Sequence, residues 1–301
     1  MSSELERSYK ARDLEGFLDV FFYRRAGLAL ARIFATLQAT PATVTFLSCA
    51  FGIFAGHLYF YRSLAINVTG MALHIAAIIL DNADGQLARL TNKGNRFGRV
   101  LDGFCDHLVF VSIYVHLCLR HVVEGGSAAI WILAAAAGLS HALQSATADH
   151  CRNGYLYFAL GKPGSSLESS EEVRAHYRAL PWRGNFWRKL LLRNYLNYTV
   201  QQEMLAPGVQ KLRALVETRF GGAVPSWISD RYREAALPLA RWFSVLTTNT
   251  RVLFLFLFLF LGHPDFYFVF ELLALNFVLA FVLLRQQAIC RDLLVLATDE
   301  K

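Results

Sequence analysis

Four aspartates, Asp81, Asp84, Asp102 and Asp106, lie in the stretch DNADGQLARLTNKGNRFGRVLDGFCD, directly after the apolar run MALHIAAIIL. Four carboxylates held together in a low-dielectric setting do not all stay ionised unless cations accompany them. A ligand set of oxygen alone, with no Cys or His in the pattern, favours a hard divalent ion such as Mg²⁺, Mn²⁺ or Ca²⁺. Small residues stand beside the acids at Gly85, Ala88 and Gly98, and they let a flat or phosphorylated ligand approach the backbone. Metal ions beside a phosphate site are a means of stabilising phosphoryl transfer.

That chemistry needs helices to hold it. At about 100° per residue, Asp81 and Asp84 are about 60° apart on a helix. Gly85 and Ala88 continue the same stripe, and a second helix repeats the device with Gly98, Asp102 and Asp106 spaced four and four. The competing reading is a salt-bridged helix pair, with Arg89, Arg96 and Arg99 neutralising the acids. Charged residues at membrane depth are functional as a rule, which favours the first reading.

Composition supplies the membrane. Of 301 residues, 55% are hydrophobic and 14% aromatic, with a mean hydropathy of +0.34, more apolar than a soluble domain. Apolar runs near 20 residues predict six transmembrane helices, at about 42–61, 65–88, 99–119, 127–148, 243–262 and 266–285. The first 40 residues mix five acids with six basic residues and hold no signal-peptide core. Of the 30 Lys and Arg, six precede residue 41, four lie between 89 and 99, 14 between 150 and 241, and three after 284. The positive-inside rule then places both termini, the acid motif and the 150–241 segment in the cytoplasm, or at the inner membrane's cytoplasmic face if the source is bacterial. A net charge of +7 spread along one membrane face suits anionic lipid and not nucleic acid. The five cysteines lack metal or CxxC spacing and read as filler without disulfides.

The expected fold is therefore all-α and polytopic, a six-transmembrane-helix bundle with an N-terminal interfacial amphipathic helix and a cytoplasmic helical insertion. Its segments are a leader (1–41), helices 1–4 with the motif (42–149), the insertion (150–241) and helices 5–6 with the tail (242–301). In the leader, Leu14, Phe17, Leu18, Phe21 and Phe22 form one helical face with Arg24, Arg25 and Arg32 near it. The alternative is a soluble helix packed on the insertion. The insertion opens with GKPGSSLESSEE, read as a flexible linker; its GKPGSS lacks the order of a phosphate loop. His107 reads as a packing or interface residue. His74, His116, His141 and Asn82 read as hydrogen bonders within the bundle. Arg152, Arg174, Arg178 and Arg183 read as a charge run facing anionic lipid, with an acceptor-phosphate site as the lesser alternative.

The motif resembles the signature of the CDP-alcohol phosphatidyltransferase family, class I: DxxDGxxAR, then GxxxDxxxD. Asp81, Asp84, Gly85, Ala88, Arg89, Gly98, Asp102 and Asp106 match every specified position. A family-like TPNxxT start to the first span is present too, with Ala42 where Asn is usual. The resemblance implies transfer of a substituted phosphate from a CDP-alcohol to an acceptor hydroxyl, with release of CMP. It implies that Asp81, Asp84 and Asp102 bind Mg²⁺ or Mn²⁺, two ions per site. Asp106 would touch the metal site and act as general base, while Gly85, Ala88, Arg89 and Gly98 would receive the donor. The implied partners are the CDP-alcohol, the acceptor and membrane lipids, with a homodimer as an allowed assembly. A CDP-diacylglycerol-type donor is the first choice, and a CDP-headgroup donor acting on diacylglycerol or ceramide is the alternative. An ion-coupled transporter and an inactive scaffold are the readings from other classes. The insertion is unusual for the family.

Overall fold

The computed structural model describes residues 14, 16, 18–161 and 167–299, with side chains for all of these but Arg96 and Asp299. Phe17 of the leader face and residues 162–166 of the polar stretch lie outside the described residues. The described residues are 83% helix and contain no strand. Five helical stretches among them are long and apolar enough to cross a membrane: Pro41–Leu58, Leu64–Leu90, Phe97–Val123, Ser226–Phe260 and Phe266–Thr298. The chain divides into two compact units, Met1–Gly138 with Arg251–Phe270, and Leu139–Thr250 with Glu271–Lys301.

The first unit begins with a π-helical turn, Asp19–Tyr23, that runs into α1, Arg24–Thr36. It continues through α2 (Pro41–Leu58), α3 (Leu64–Leu90) and α4 (Arg96–Val123). Thr40 caps α2 by accepting from the Thr43 N–H, and Pro41 occupies the first helical position, where its missing N–H costs nothing. Small residues decide how closely these helices pack. A Cβ on Gly52 would sit 2.5 Å from Val109, and one on Gly56 would sit 2.8 Å from Ser112. The two glycines, four apart, let α2 and α4 approach closely, as small residues do between membrane helices. Gly27 does the same for α1 against α3, where its Cβ would meet Asn82 at 3.0 Å and the Ala83 nitrogen at 3.2 Å. Ala31, Val44, Leu80, Ala83 and Leu87 close the core behind that contact.

The leader thus has two faces. Tyr23, Gly27, Leu28 and Ala31 are buried, while Leu18, Phe21, Phe22, Ile33 and Leu37 are exposed. At the other end of α2–α4, Glu124 accepts from Arg62 Nε at 2.8 Å and from Arg120 Nε at 3.0 Å. Arg120 Nη1 also donates to the Tyr61 carbonyl at 3.2 Å. Buried Asn67 bonds the same region, its amide donating to the Tyr61 carbonyl at 3.1 Å in the orientation that satisfies both of its ends. His74 and Tyr59 share a 3.2 Å hydrogen bond, and His116 bonds to His57 at 3.1 Å. With Asn82 donating to the Ile78 carbonyl, these side chains serve the helices that hold them. The remainder of the unit includes Phe254 stacked on Phe270, ring centroids 4.0 Å apart.

The second unit holds the later turns of α5 (Ile130–Phe158), then α6 (Ser170–Ala179), α7 (Phe186–Leu205), α8 (Pro207–Phe220) and α9 (Ser226–Val245). The chain then returns to the first unit with most of α10 (Thr248–Phe260) and α11 (Phe266–Phe270), and to the second with a π-helical segment, Glu271–Leu275, that leads into α12 (Asn276–Asp299). Gln144 donates at 3.0 Å to the carbonyl of Glu271 in that π segment and at 2.8 Å to Asn276, which donates in turn to Ser140. Such polar bonds satisfy backbone groups that a π-bulge releases from the regular ladder.

Three features depart from the expected organisation. The segment expected to span at 127–148 is helical, but it belongs to a 29-residue helix that runs on to Phe158 and is absent from the five candidate spans. Ser140, His141, Gln144, Ser145 and Thr147 reduce its hydropathy, and Gly154 does not interrupt the helix, which ends before Gly161, whose φ is +55°. The expected boundary at 241 falls inside α9, which continues into the span Ser226–Phe260. Finally, the polar stretch ends as a helix start. Ser169 accepts from the Glu172 N–H at 3.2 Å, while Glu172 accepts from the Ser169 N–H at 2.8 Å, a capping box.

Candidate active site

The acid motif occupies a helical hairpin in the first unit. α3 carries Asp81, Asp84, Gly85, Ala88 and Arg89 in its last turns, and the chain reverses over residues 91–95, with Asn92 in the left-handed region at φ +53°. Asn95 then caps α4, its side-chain oxygen accepting from the Gly98 N–H at 2.7 Å. The cap starts α4 early enough to place Asp102 and Asp106 in its first turns, level with the end of α3.

One carboxylate oxygen from each of Asp81, Asp84 and Asp102 lies within 4.8 Å of the other two. Asp84 is buried, while Asp81 and Asp102 are half-buried. Charges at this separation repel by on the order of 3–4 kcal/mol per ionised pair at an effective dielectric near 20. Arg24 acts on Asp81 and Arg89 on Asp84 as opposing charges. Asp106 stands outside the three-carboxylate group. Its side chain is exposed, and its charge acts on Asp81. The three converging carboxylates supply oxygen donors that fit a hard divalent cation.

A second set of contacts, absent from the linear motif, supports these acids. Thr45 Oγ1 of α2 donates to Asp84 Oδ2 at 2.5 Å, both groups buried. One turn later Ser48 Oγ donates to the Ala77 carbonyl at 2.9 Å, pinning α2 to α3. Buried Gln86 donates to the Arg24 carbonyl at 3.0 Å, tying α1 to the acid-bearing turns. The sequence signal for Thr45 was present, since it closes the TPATVT start of α2. Gln86 and Arg24 carried no comparable signal.

The small positions are open. A Cβ on Gly85 would first meet the Arg89 guanidinium tip at 3.6 Å, one on Gly98 the Asn95 oxygen at 3.5 Å, and one on Gly103 nothing within 4 Å. None of these glycines is demanded by packing, in contrast to Gly52 and Gly56. Arg89 is exposed and Ala88 half-buried. His107 is exposed and directs Nδ1 to the Gly103 carbonyl of its own helix at 2.5 Å. The Arg96 side chain lies outside the described residues.

Residues 20–149 match the model of the CDP-alcohol phosphatidyltransferase family. The CDP-alcohol phosphatidyltransferase match thus begins in the leader and takes in α1, the whole acid hairpin and most of α5. It ends short of α6–α9, and it covers less than half of the chain. No curated protein and no solved structure matches the chain.

Proposed function

We propose that the chain is a divalent-metal-dependent CDP-alcohol phosphotransferase whose active site is the acid hairpin of α3 and α4. The observation that carries this reading is the convergence of Asp81, Asp84 and Asp102 within 4.8 Å, inside the segment matched to the family. In the reaction, the acceptor oxygen bonds to the β-phosphorus of the CDP-alcohol, the bond from that phosphorus to the bridging oxygen breaks, and CMP leaves with the oxygen. The acceptor proton passes to Asp106, whose exposure and position beside the three acids suit a general base. Asp81, Asp84 and Asp102 would hold Mg²⁺ or Mn²⁺, as a pair with Asp106 touching the site, and the ions would withdraw charge from the phosphates. Arg89 would add a cation for the diphosphate, and the open edge at Gly85, Ala88 and Gly98 would seat the cytidine.

The same reading places six spans in the membrane, the leader's exposed apolar face in the interface, and both termini and the acid hairpin on the cytoplasmic side. CDP-diacylglycerol is the preferred donor and a CDP-headgroup with a lipid alcohol the alternative. The test is CMP release by purified, lipid-reconstituted protein given each donor class with Mg²⁺ or Mn²⁺. Turnover that stops on chelation and returns with the ion is the expected result. Full turnover in excess chelator overturns the metal reading, and no CMP from either donor class overturns the enzyme reading in favour of a scaffold or a transporter.

A further inference from the structure

The hairpin of α6 and α7 takes no part in that chemistry. From residue 173 to residue 202 the chain carries six cations, Arg174, Arg178, Arg183, Arg188, Lys189 and Arg193, and no acid. The five arginines are all exposed. Large apolar side chains stand among them in the open, with Trp187 71% exposed, Phe186 55% and Trp182 46%.

The tip is ordered from within. Lys189 is buried beneath it, its Nζ donating to the Leu180 carbonyl at 2.6 Å and lying 4.6 Å from the Tyr177 ring and 5.1 Å from the Trp182 ring. Trp182 leans on Phe186, which meets Trp187 edge-on at 5.3 Å. Gly184, at φ +77°, permits the reversal. The hairpin therefore presents its aromatic residues with little ordering entropy left to lose on docking.

Exposed aromatic rings flanked by charge of one sign match the chemistry of a lipid interface, where Trp sits at headgroup level and Arg meets anionic phosphates. A protein partner would need a strongly acidic face of its own. The unit that carries the hairpin also carries parts of two candidate spans, Ser226–Phe260 and Phe266–Thr298, so a bilayer is within its reach. We infer that the α6–α7 tip docks on the surface of that bilayer, with Trp182, Phe186 and Trp187 among the headgroups and the arginines on anionic phospholipid. The inference rests on this surface and the spans, and it stands whatever the acid hairpin catalyses.

The five native cysteines are all buried, so Trp187→Cys gives full-length protein a single reactive thiol for a bimane probe. The protein is placed in nanodiscs of phosphatidylcholine, or of an equimolar mixture with phosphatidylglycerol, with some lipid carrying a headgroup-proximal nitroxide. Quenching by the lipid nitroxide, protection from aqueous iodide, and a stronger effect in the mixed discs are expected. The triple reversal Arg183→Glu, Arg188→Glu and Arg193→Glu should weaken it by about fivefold or more per cation at low salt. An unchanged melting temperature would show that this variant folds. A probe open to iodide and unquenched by lipid overturns the inference and leaves a soluble partner as the occupant. Equal quenching in both lipids, unmoved by the reversals, overturns the anionic-lipid assignment.

Discussion

Thr45→Val isolates the support behind the acids. Valine conserves shape and keeps the α2 surface filled, but it removes the hydroxyl that donates to Asp84 Oδ2 at 2.5 Å. A buried hydrogen bond to a charged group contributes about 1.5–3 kcal/mol. At 1.36 kcal/mol per tenfold, that is about 10- to 150-fold in an equilibrium, and the loss of a bond orienting a metal ligand typically costs about 10- to 100-fold in affinity or activity. The expected outcome is a metal requirement for CMP release displaced upward by that factor, with turnover at saturating metal much less affected. Direct Mn²⁺ titration of the reconstituted protein should show the same displacement, and Thr45→Ser should recover most of it. Unchanged Mn²⁺ affinity in Thr45→Val would refute the reasoning, because it would mean that Asp84 is held in place without the α2 hydroxyl.

Asp106→Asn should lower turnover by about 10²–10⁴-fold while donor affinity survives, because the other three acids remain; Asp81→Asn should lose metal and donor binding together. Separate measurement of donor affinity and CMP release distinguishes the two, and turnover close to wild type in Asp106→Asn would assign the base elsewhere. Gly85→Leu should fold and insert, since a Cβ there meets only the flexible end of Arg89 at 3.6 Å, and a helix-interior glycine is itself a cost of about 0.5–1 kcal/mol. Its donor affinity should collapse, and intact affinity would place the cytidine on another face. Burial pushes the Glu124 carboxyl up, but the Arg62 and Arg120 donors outweigh that and hold it below its ordinary value. A depressed carboxyl adds stability that is full above its unfolded value and fades as pH falls through the folded one. Melting curves should thus steepen in their acid loss below about pH 4.5 in the wild type relative to Glu124→Gln; parallel curves would show that the ion pairs contribute nothing.

The acid hairpin was legible in the sequence because its geometry is local. Asp81, Asp84 and Gly85 share one helical face by spacing alone, and Asn95 is a recognisable cap. Thr45 was legible as a motif residue but not as a partner of Asp84, because 39 residues separate them and helix periodicity carries no information across that distance. Arg24 read as an interfacial cation, yet it is buried, since Gly27 brings its helix against Asn82 and Ala83. The helices run through the span limit expected at 148 and the segment boundary expected at 241, because hydropathy reports where a membrane stops and not where a helix stops. Asp149, His150 and Arg152 end the apolar run while leaving the backbone free to continue.

The ties at Glu124 also bear on how a substrate gains access. Away from the acids, Arg62 and Arg120 grip one carboxylate, and Arg120 and Asn67 hold the backbone carbonyls at the end of α2. Midway along, Gly52 and Gly56 lock α2 against α4 at backbone contact. Toward the acids the polar ties between α2 and α3 are the single hydroxyls of Ser48 on Ala77 and Thr45 on Asp84, with Val44 packed against Leu80, Ala83 and Leu87 beside them. The three helices are thus tied by charge at one end and latched by hydroxyls on an apolar seam at the other. On the proposed function, that latch lies beside the acids where a nucleotide would enter and CMP would leave.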